Sequence, residues 1–121
     1  MYFLKKLNNA ILLPLSLIIG SCDAQIKNSK TEKFTVYGNC GMCEKKIEAA
    51  GNIKGIVKVE WEKDTKQATL TYDSKKTNTD EILKRIALSG YDSDKFPAPD
   101  DVYDKLHECC QYERVIKTNV K

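Results

Sequence analysis

Residues 55–72 read GIVKVEWEKDTKQATLTY, and this stretch decides the fold. Val57, Val59 and Trp61 alternate with Lys58, Glu60 and Glu62, after which Ala68, Leu70 and Tyr72 alternate with Thr69 and Thr71. Alternation at period two puts one side of a strand in a core and the other in water. The polar segment 63–66 is of hairpin length, so the two runs are expected to pair antiparallel.

Working outward, residues 31–37 alternate in the same way, with Phe34 and Val36 on one face, until Gly38 and Asn39 end the run. From Cys43 onward Ile47, Ala50 and Ile53 recur at a three-residue step behind the charged Glu44, Lys45 and Lys46, which predicts a helix stopping at Gly51 and Asn52. Beyond the hairpin, Asn78 followed by Glu81 has the form of a helix cap, and Ile82, Leu83, Ile86 and Ala87 make an apolar stripe that ends at Gly90. A closing strand is expected over residues 91–96, although Asp92, Ser93 and Asp94 are poor strand formers. Pro97 and Pro99 interrupt the chain. Asp100 and Asp101 favour a helix start, with Val102, Tyr103, Leu106 and Cys110 on one face of a third helix. Strand, helix, two strands, helix, strand predicts an α+β, ferredoxin-like βαββαβ sandwich with an added C-terminal helix. Such a fold carries no function by itself.

The 121 residues allow one compact domain. Twenty Lys and Arg oppose 17 Asp and Glu, and setting aside Lys5 and Lys6 leaves 18 against 17, close to neutral. The charges are mixed along the chain and interleave with no aromatic run, so nucleic-acid binding has nothing to rest on. A single His and no Ser/His/Asp set leave little for acid-base catalysis, and a non-enzymatic role is expected.

Residues 1–22, MYFLKKLNNAILLPLSLIIGSC, have a signal-peptide layout: Lys5 and Lys6, an apolar run broken only by Pro14 and Ser16, then small residues. The run is too short for a spanning helix, which needs about 20 apolar residues. Its ending, Ile19-Gly20-Ser21-Cys22, resembles a bacterial lipobox, which implies cleavage before Cys22 and lipid on its sulfur. Each buried CH₂ of such a lipid is worth about 0.8 kcal/mol, and two or more chains anchor stably. Ordinary cleavage near Ala24, or an uncleaved anchor, would instead lose or free that Cys. The expected plan is a signal peptide over 1–21, lipidated Cys22 and a tether over 22–30, the folded domain over 31–96, and a C-terminal extension over 97–121. The expected location is the cell envelope, anchored to a membrane and facing the periplasm or the cell surface.

Cys40-Gly41-Met42-Cys43 falls between a strand end and the first turn of a helix. Unpaired amides and the helix dipole there favour thiolates, with Lys45 and Lys46 as possible helpers, and two thiolates are expected to be available. Soft sulfur donors suit Cu(I), Zn(II), Cd(II) or Hg(II) over hard cations. Met42 is expected to be packing, as are Trp61, Tyr72 and Tyr103. From here the sequence resembles the heavy-metal-associated domain of copper chaperones, transporting ATPases and periplasmic mercury-binding proteins. The shared residues are Cys40, Cys43, Ile47-Glu48, Gly55, Val57-Lys58-Val59 and Gly90-Tyr91. The resemblance covers residues 31–96. It implies Cys40 and Cys43 as metal ligands, Tyr91 packed beside them, Cu(I) as first choice with Hg(II) or Zn(II) possible, and either delivery to a metal-transporting or metal-accepting envelope protein or sequestration of the ion. Gly38 departs from the family, which usually has a Met there.

His107-Glu108-Cys109-Cys110 lies outside that resemblance. On a helix His107 and Cys110 would be neighbours, offering an N and an S donor, while Cys109 points elsewhere. Folded back over the first loop, these Cys would enclose a three- or four-coordinate site. Two other readings stand beside this one. The four thiols of an exported protein can form two disulfides in three pairings, and a C-x-x-C also suits a thiol-disulfide oxidoreductase.

Overall fold

The computed structural model describes residues 25–115. The signal segment, Cys22 and the tail 117–121 lie outside the described residues. Three strands, β1 (Ser29–Thr35), β2 (Val57–Glu62) and β3 (Gln67–Asp73), form an antiparallel sheet in the order β1-β3-β2. Two helices, α1 (Gly41–Gly51) and α2 (Thr79–Leu88), pack against each other, and α1 also packs on β2. The result is a small α+β domain. Among the described residues no helix is long and apolar enough to cross a membrane.

The hairpin forms as its alternation demands. Val57 faces Tyr72, Val59 faces Leu70 and Trp61 faces Ala68, and all six are buried. Their polar neighbours Lys58, Glu60 and Glu62 are exposed. The free edge of β2 is closed by side chains of the α1 region: Asn52 Oδ1 accepts from Val59 N at 2.7 Å and Glu48 Oε2 from Trp61 N at 2.9 Å. These two bonds satisfy edge amides that otherwise invite strand addition, and they fix how α1 lies on the sheet. The buried side of α1 follows a four-residue step, Cys43, Ile47 and Gly51, in place of the three-residue step expected. Ile53 is 37% exposed and sits in an isolated bridge to Val57 beyond the helix. The second helix matches its pattern: Asn78 Oδ1 accepts from Glu81 N at 3.0 Å, and Ile82, Leu83, Ile86 and Ala87 are buried.

Three boundaries differ from expectation. The first strand starts at Ser29, inside the stretch expected to be tether. The closing strand shrinks to a single bridge between Val36 and Ser93, flanked by Tyr37 N to Asp92 O at 2.9 Å and Asp94 N to Thr35 O at 3.0 Å. Side chains end it: Ser93 Oγ accepts from Lys95 N and Phe96 N, turning the chain, and Asp92 is fully buried with Oδ1 accepting from Ala98 N at 2.7 Å. Finally, the third helix α3 covers only Asp100–Asp104, and a 3-10 turn at Glu108–Cys110 follows. Gln111 Nε2 stops α3 by donating to the carbonyls of Asp104 and Leu106.

The extension is nevertheless firmly seated on the loop after α2. Gly90 has φ +113°, a backbone that favours glycine, and a Cβ there would stand 2.8 Å from Leu106 Cδ2. Tyr112 Oη donates to Gly90 O and accepts from Asp92 N, both at 2.8 Å, while its ring stacks on Tyr91. Arg114 completes the seat with Nη2 at 2.6 Å and Nε at 3.0 Å from the two Asp92 carboxylate oxygens.

Candidate metal centre

Residues 36–40 carry the chain from β1 to α1 over the end of the hairpin. Gly38 is held by Lys66 Nζ donating to its carbonyl at 2.6 Å. A Cβ at Gly38 would lie 3.2 Å from both Cys43 Cβ and the Trp61 ring. Trp61 thus already fills space beside this loop, with its indole N–H donating to Val36 O at 2.8 Å.

Cys40 is the N-cap residue of α1, in extended backbone, and Cys43 lies one turn inside. This splits the pair by environment: Cys40 is half-buried at the rim, whereas Cys43 is fully buried. Their sulfurs are 3.8 Å apart. The backbone N–H of Cys43, with help from that of Met42, lowers the Cys40 thiol from 9.0 to about 7 against a partial cost of desolvation. Lys45 and Lys46 are exposed and are not among the causes. Cys43 shifts the opposite way, raised first by burial and then by the Cys110 thiol. One thiolate near neutral pH therefore replaces the two expected. For a metal ion to be held by both, the second thiolate would have to form as the cation displaces its proton.

Cys110 reaches the pair from the 3-10 turn and is fully buried. The sulfurs of Cys40, Cys43 and Cys110 all lie within 4.8 Å of one another. With metal–sulfur bonds of about 2.3 Å, neighbouring sulfurs are about 4.0 Å apart around a trigonal ion, about 3.8 Å around a tetrahedral one and about 4.6 Å across a linear one. The 3.8 Å between Cys40 and Cys43 suits three or four donors better than two. The donor chemistry fits a soft ion.

Tyr91 supplies a second sign of fit. It is fully buried, and its hydroxyl is the buried side-chain oxygen without a hydrogen-bond partner among the described residues. Burial foremost, then the Cys110 and Cys43 sulfurs around it, push its ionisation far up, so it stays a neutral donor. An unsatisfied buried hydroxyl costs about 1–3 kcal/mol. A thiolate beside it gives the hydroxyl an acceptor.

The remaining predicted residues divide. Cys109 is exposed, with Sγ 3.9 Å from Cys40 Sγ, and its carbonyl accepts from Asn39 Nδ2 at 3.3 Å. Met42 is 42% exposed and is not packing: its Sδ lies 3.9 Å from Cys109 Sγ. His107 is exposed and stands outside the thiol group. Because α3 ends early and His107 takes an extended backbone (φ −55°, ψ 147°), the helical His107/Cys110 pairing does not form. None of Cys40, Cys43, Cys109 and Cys110 is bridged.

Sequence reasoning passed over Asp92, Tyr112 and Arg114, which seat the extension and so place Cys110. Asp92 read only as a weak strand residue, and no spacing connects it to Arg114 far along the chain.

No protein-family model matches the chain, and no curated protein matches it. Among solved structures, one described as "CopZ metallochaperone" is similar, with 29% sequence identity and a TM-score of 0.49 over 53% of this chain and 98% of that chain.

Proposed function

We propose that this is an envelope protein, held to a membrane by lipid on Cys22, that binds one soft metal ion and hands it to a metal-transporting or metal-accepting partner. Cu(I) is the first choice, with Hg(II) and Zn(II) as the other candidates. The ion sits on Cys40 and Cys43, with Cys110 as the third donor. One observation carries the reading: three sulfurs from two distant parts of the chain lie within 4.8 Å of one another. The lowered Cys40 thiol offers first capture near neutral pH, and the buried sulfurs then replace the incoming ligands one at a time. No hard carboxylate donor belongs to the group.

The test is a competition titration of the reduced whole chain against a colorimetric Cu(I) chelator. The chain is expected to withdraw one equivalent, and Cys40→Ser or Cys43→Ser to return it to the chelator. A wild-type chain that leaves the chelator fully loaded sinks the reading. Parallel Hg(II) and Zn(II) titrations rank the metals.

A second reading is favoured by the opposite shifts of Cys40 and Cys43, an arrangement suited to thiol-disulfide exchange. Cys40 thiolate would attack a substrate disulfide and Cys43 would resolve the mixed disulfide, leaving the substrate reduced and the protein oxidised. Catalytic reduction of insulin, with excess dithiothreitol returning the Cys40–Cys43 disulfide to the dithiol after each turnover, would favour this reading over metal carriage.

A further inference from the structure

Cys43 and Cys110 have no exposed surface, so an ion among the three inner sulfurs meets solvent only on the side of half-buried Cys40. Two more soft donors stand on that side. Cys109 Sγ is 3.9 Å from Cys40 Sγ, and Met42 Sδ is 3.9 Å from Cys109 Sγ. Both residues are exposed. The 3-10 turn at Glu108–Cys110 turns two consecutive Cys in opposite directions, Cys110 inward and Cys109 to the surface. Asn39, next to Cys40, donates its Nδ2 to the Cys109 carbonyl at 3.3 Å, which ties the backbone of Cys109 to the loop that carries Cys40.

We infer that Cys109 and Met42, sharing Cys40 with the inner thiols, form an outer soft-donor site through which the metal ion passes between solvent or partner and the inner three-sulfur pocket. This rests on the soft-metal reading above. Cys40 is the pivot that belongs to both sets. On the way out, a bond from the ion to Cys109 sulfur forms as the bond to Cys43 or Cys110 breaks, and Met42 thioether replaces the second inner sulfur. The Cys109 thiol proton leaves to water, and each released inner thiolate takes a proton up. The ion keeps its oxidation state throughout, and no oxidant or reductant is consumed. A thioether carries no charge and binds more weakly than a thiolate, so Met42 is the ligand that a partner's sulfur displaces first. With only the inner sulfurs, the first departing bond would leave the ion two-coordinate and the second one-coordinate in a buried pocket, which is a slower route.

The test follows Cu(I) leaving the whole chain, reduced and loaded in detergent, after mixing with excess bathocuproine disulfonate, read by stopped-flow absorbance. Equilibrium competition is measured on the same samples. Cys109→Ser, and more so Cys109→Ser with Met42→Leu, should slow release by about tenfold or more. Cys109→Met, which restores a soft donor at the same place, should recover most of the rate. Wild-type release from the double variant would overturn the inference. So would a loss of equilibrium affinity in Cys109→Ser as large as that in Cys110→Ser, which would make Cys109 an inner ligand. A wild-type chain that binds no Cu(I) instead fails at the earlier step and removes the metal-carrier reading itself.

Discussion

Replacing Arg114 by Met should loosen the C-terminal extension and uncover Cys110, although neither residue touches the other. The Asp92 side chain is 0% exposed and that of Arg114 17%, and two charge-assisted bonds of 2.6 and 3.0 Å join them. Arg114 also donates to Ala98 O at 2.7 Å and lies over the Tyr103 ring. Breaking a buried pair from one side costs about 3–5 kcal/mol, because the surviving charge stays desolvated. The low end of that range applies, since Asp92 keeps the Ala98 amide and Arg114 is partly in water. About 3 kcal/mol corresponds to a drop in melting temperature of upwards of about 12 °C for a domain of this size. If the extension peels away before the sheet melts, Asp92 reaches water and the loss in melting temperature is smaller, but Cys110 is then uncovered. Two measurements on the reduced protein therefore go together: a thermal melt, and mass-mapped alkylation of Cys110. Asp92→Asn combined with Arg114→Met should recover part of the loss, because the stranded charge is gone. An unchanged melt with Cys110 still protected in Arg114→Met would refute the clamp.

Three further outcomes are expected. In metal-free reduced protein, alkylation of Cys40 should be half-maximal near pH 7 and fall away below it as the thiolate is protonated, while Cys43, raised by burial, reacts later and more slowly in a pH-resolved mass-mapping series. Gly90→Ala should destabilise by about 1–3 kcal/mol through its positive φ, and by more from the Leu106 contact, read by chemical denaturation. Tyr91→Phe should leave metal-free stability equal or raise it by about 1 kcal/mol by removing an unsatisfied hydroxyl, yet weaken Cu(I) binding in the chelator competition; unchanged binding would remove Tyr91 from the site.

The parts of the fold that the sequence announces are those with local periodicity. Val57, Val59, Trp61, Leu70 and Tyr72 show their burial by alternation, and Asn78 with Glu81 shows its cap, because each pattern repeats within a few residues. Cys40 and Cys43 are legible for the same reason: their spacing sits at one helix end. What escapes is set by long-range contacts. The missing closing strand follows from Asp92, whose carboxylate is drawn inward by Ala98 N–H and Arg114, a partnership across 22 residues that leaves no local trace. The early end of α3 is likewise set outside its own periodicity, by Gln111 Nε2 donating to the carbonyls of Asp104 and Leu106. Of the expected apolar stripe, Tyr103, Leu106 and Cys110 pack against the core, whereas Val102 is only partly buried, and no single helix carries them all.

Those long-range contacts bear directly on the proposed metal site. A C-x-x-C loop alone presents two donors at a surface, where an incoming ligand can reach the ion. Here the loop after α2 receives the extension through Leu106, Tyr112 and Arg114, and that docking is what brings Cys110 against Cys43. On the proposed function, retention falls to a segment that adds no strand to the sheet and is seated by Leu106, Tyr112 and the Arg114–Asp92 pair. The same turn that buries Cys110 exposes Cys109 beside Cys40, so a single docking event would both deepen the proposed site and supply its proposed way out. Loss of docking should accordingly weaken holding and alter exchange together, whereas changes at Cys109 and Met42 should act on exchange alone.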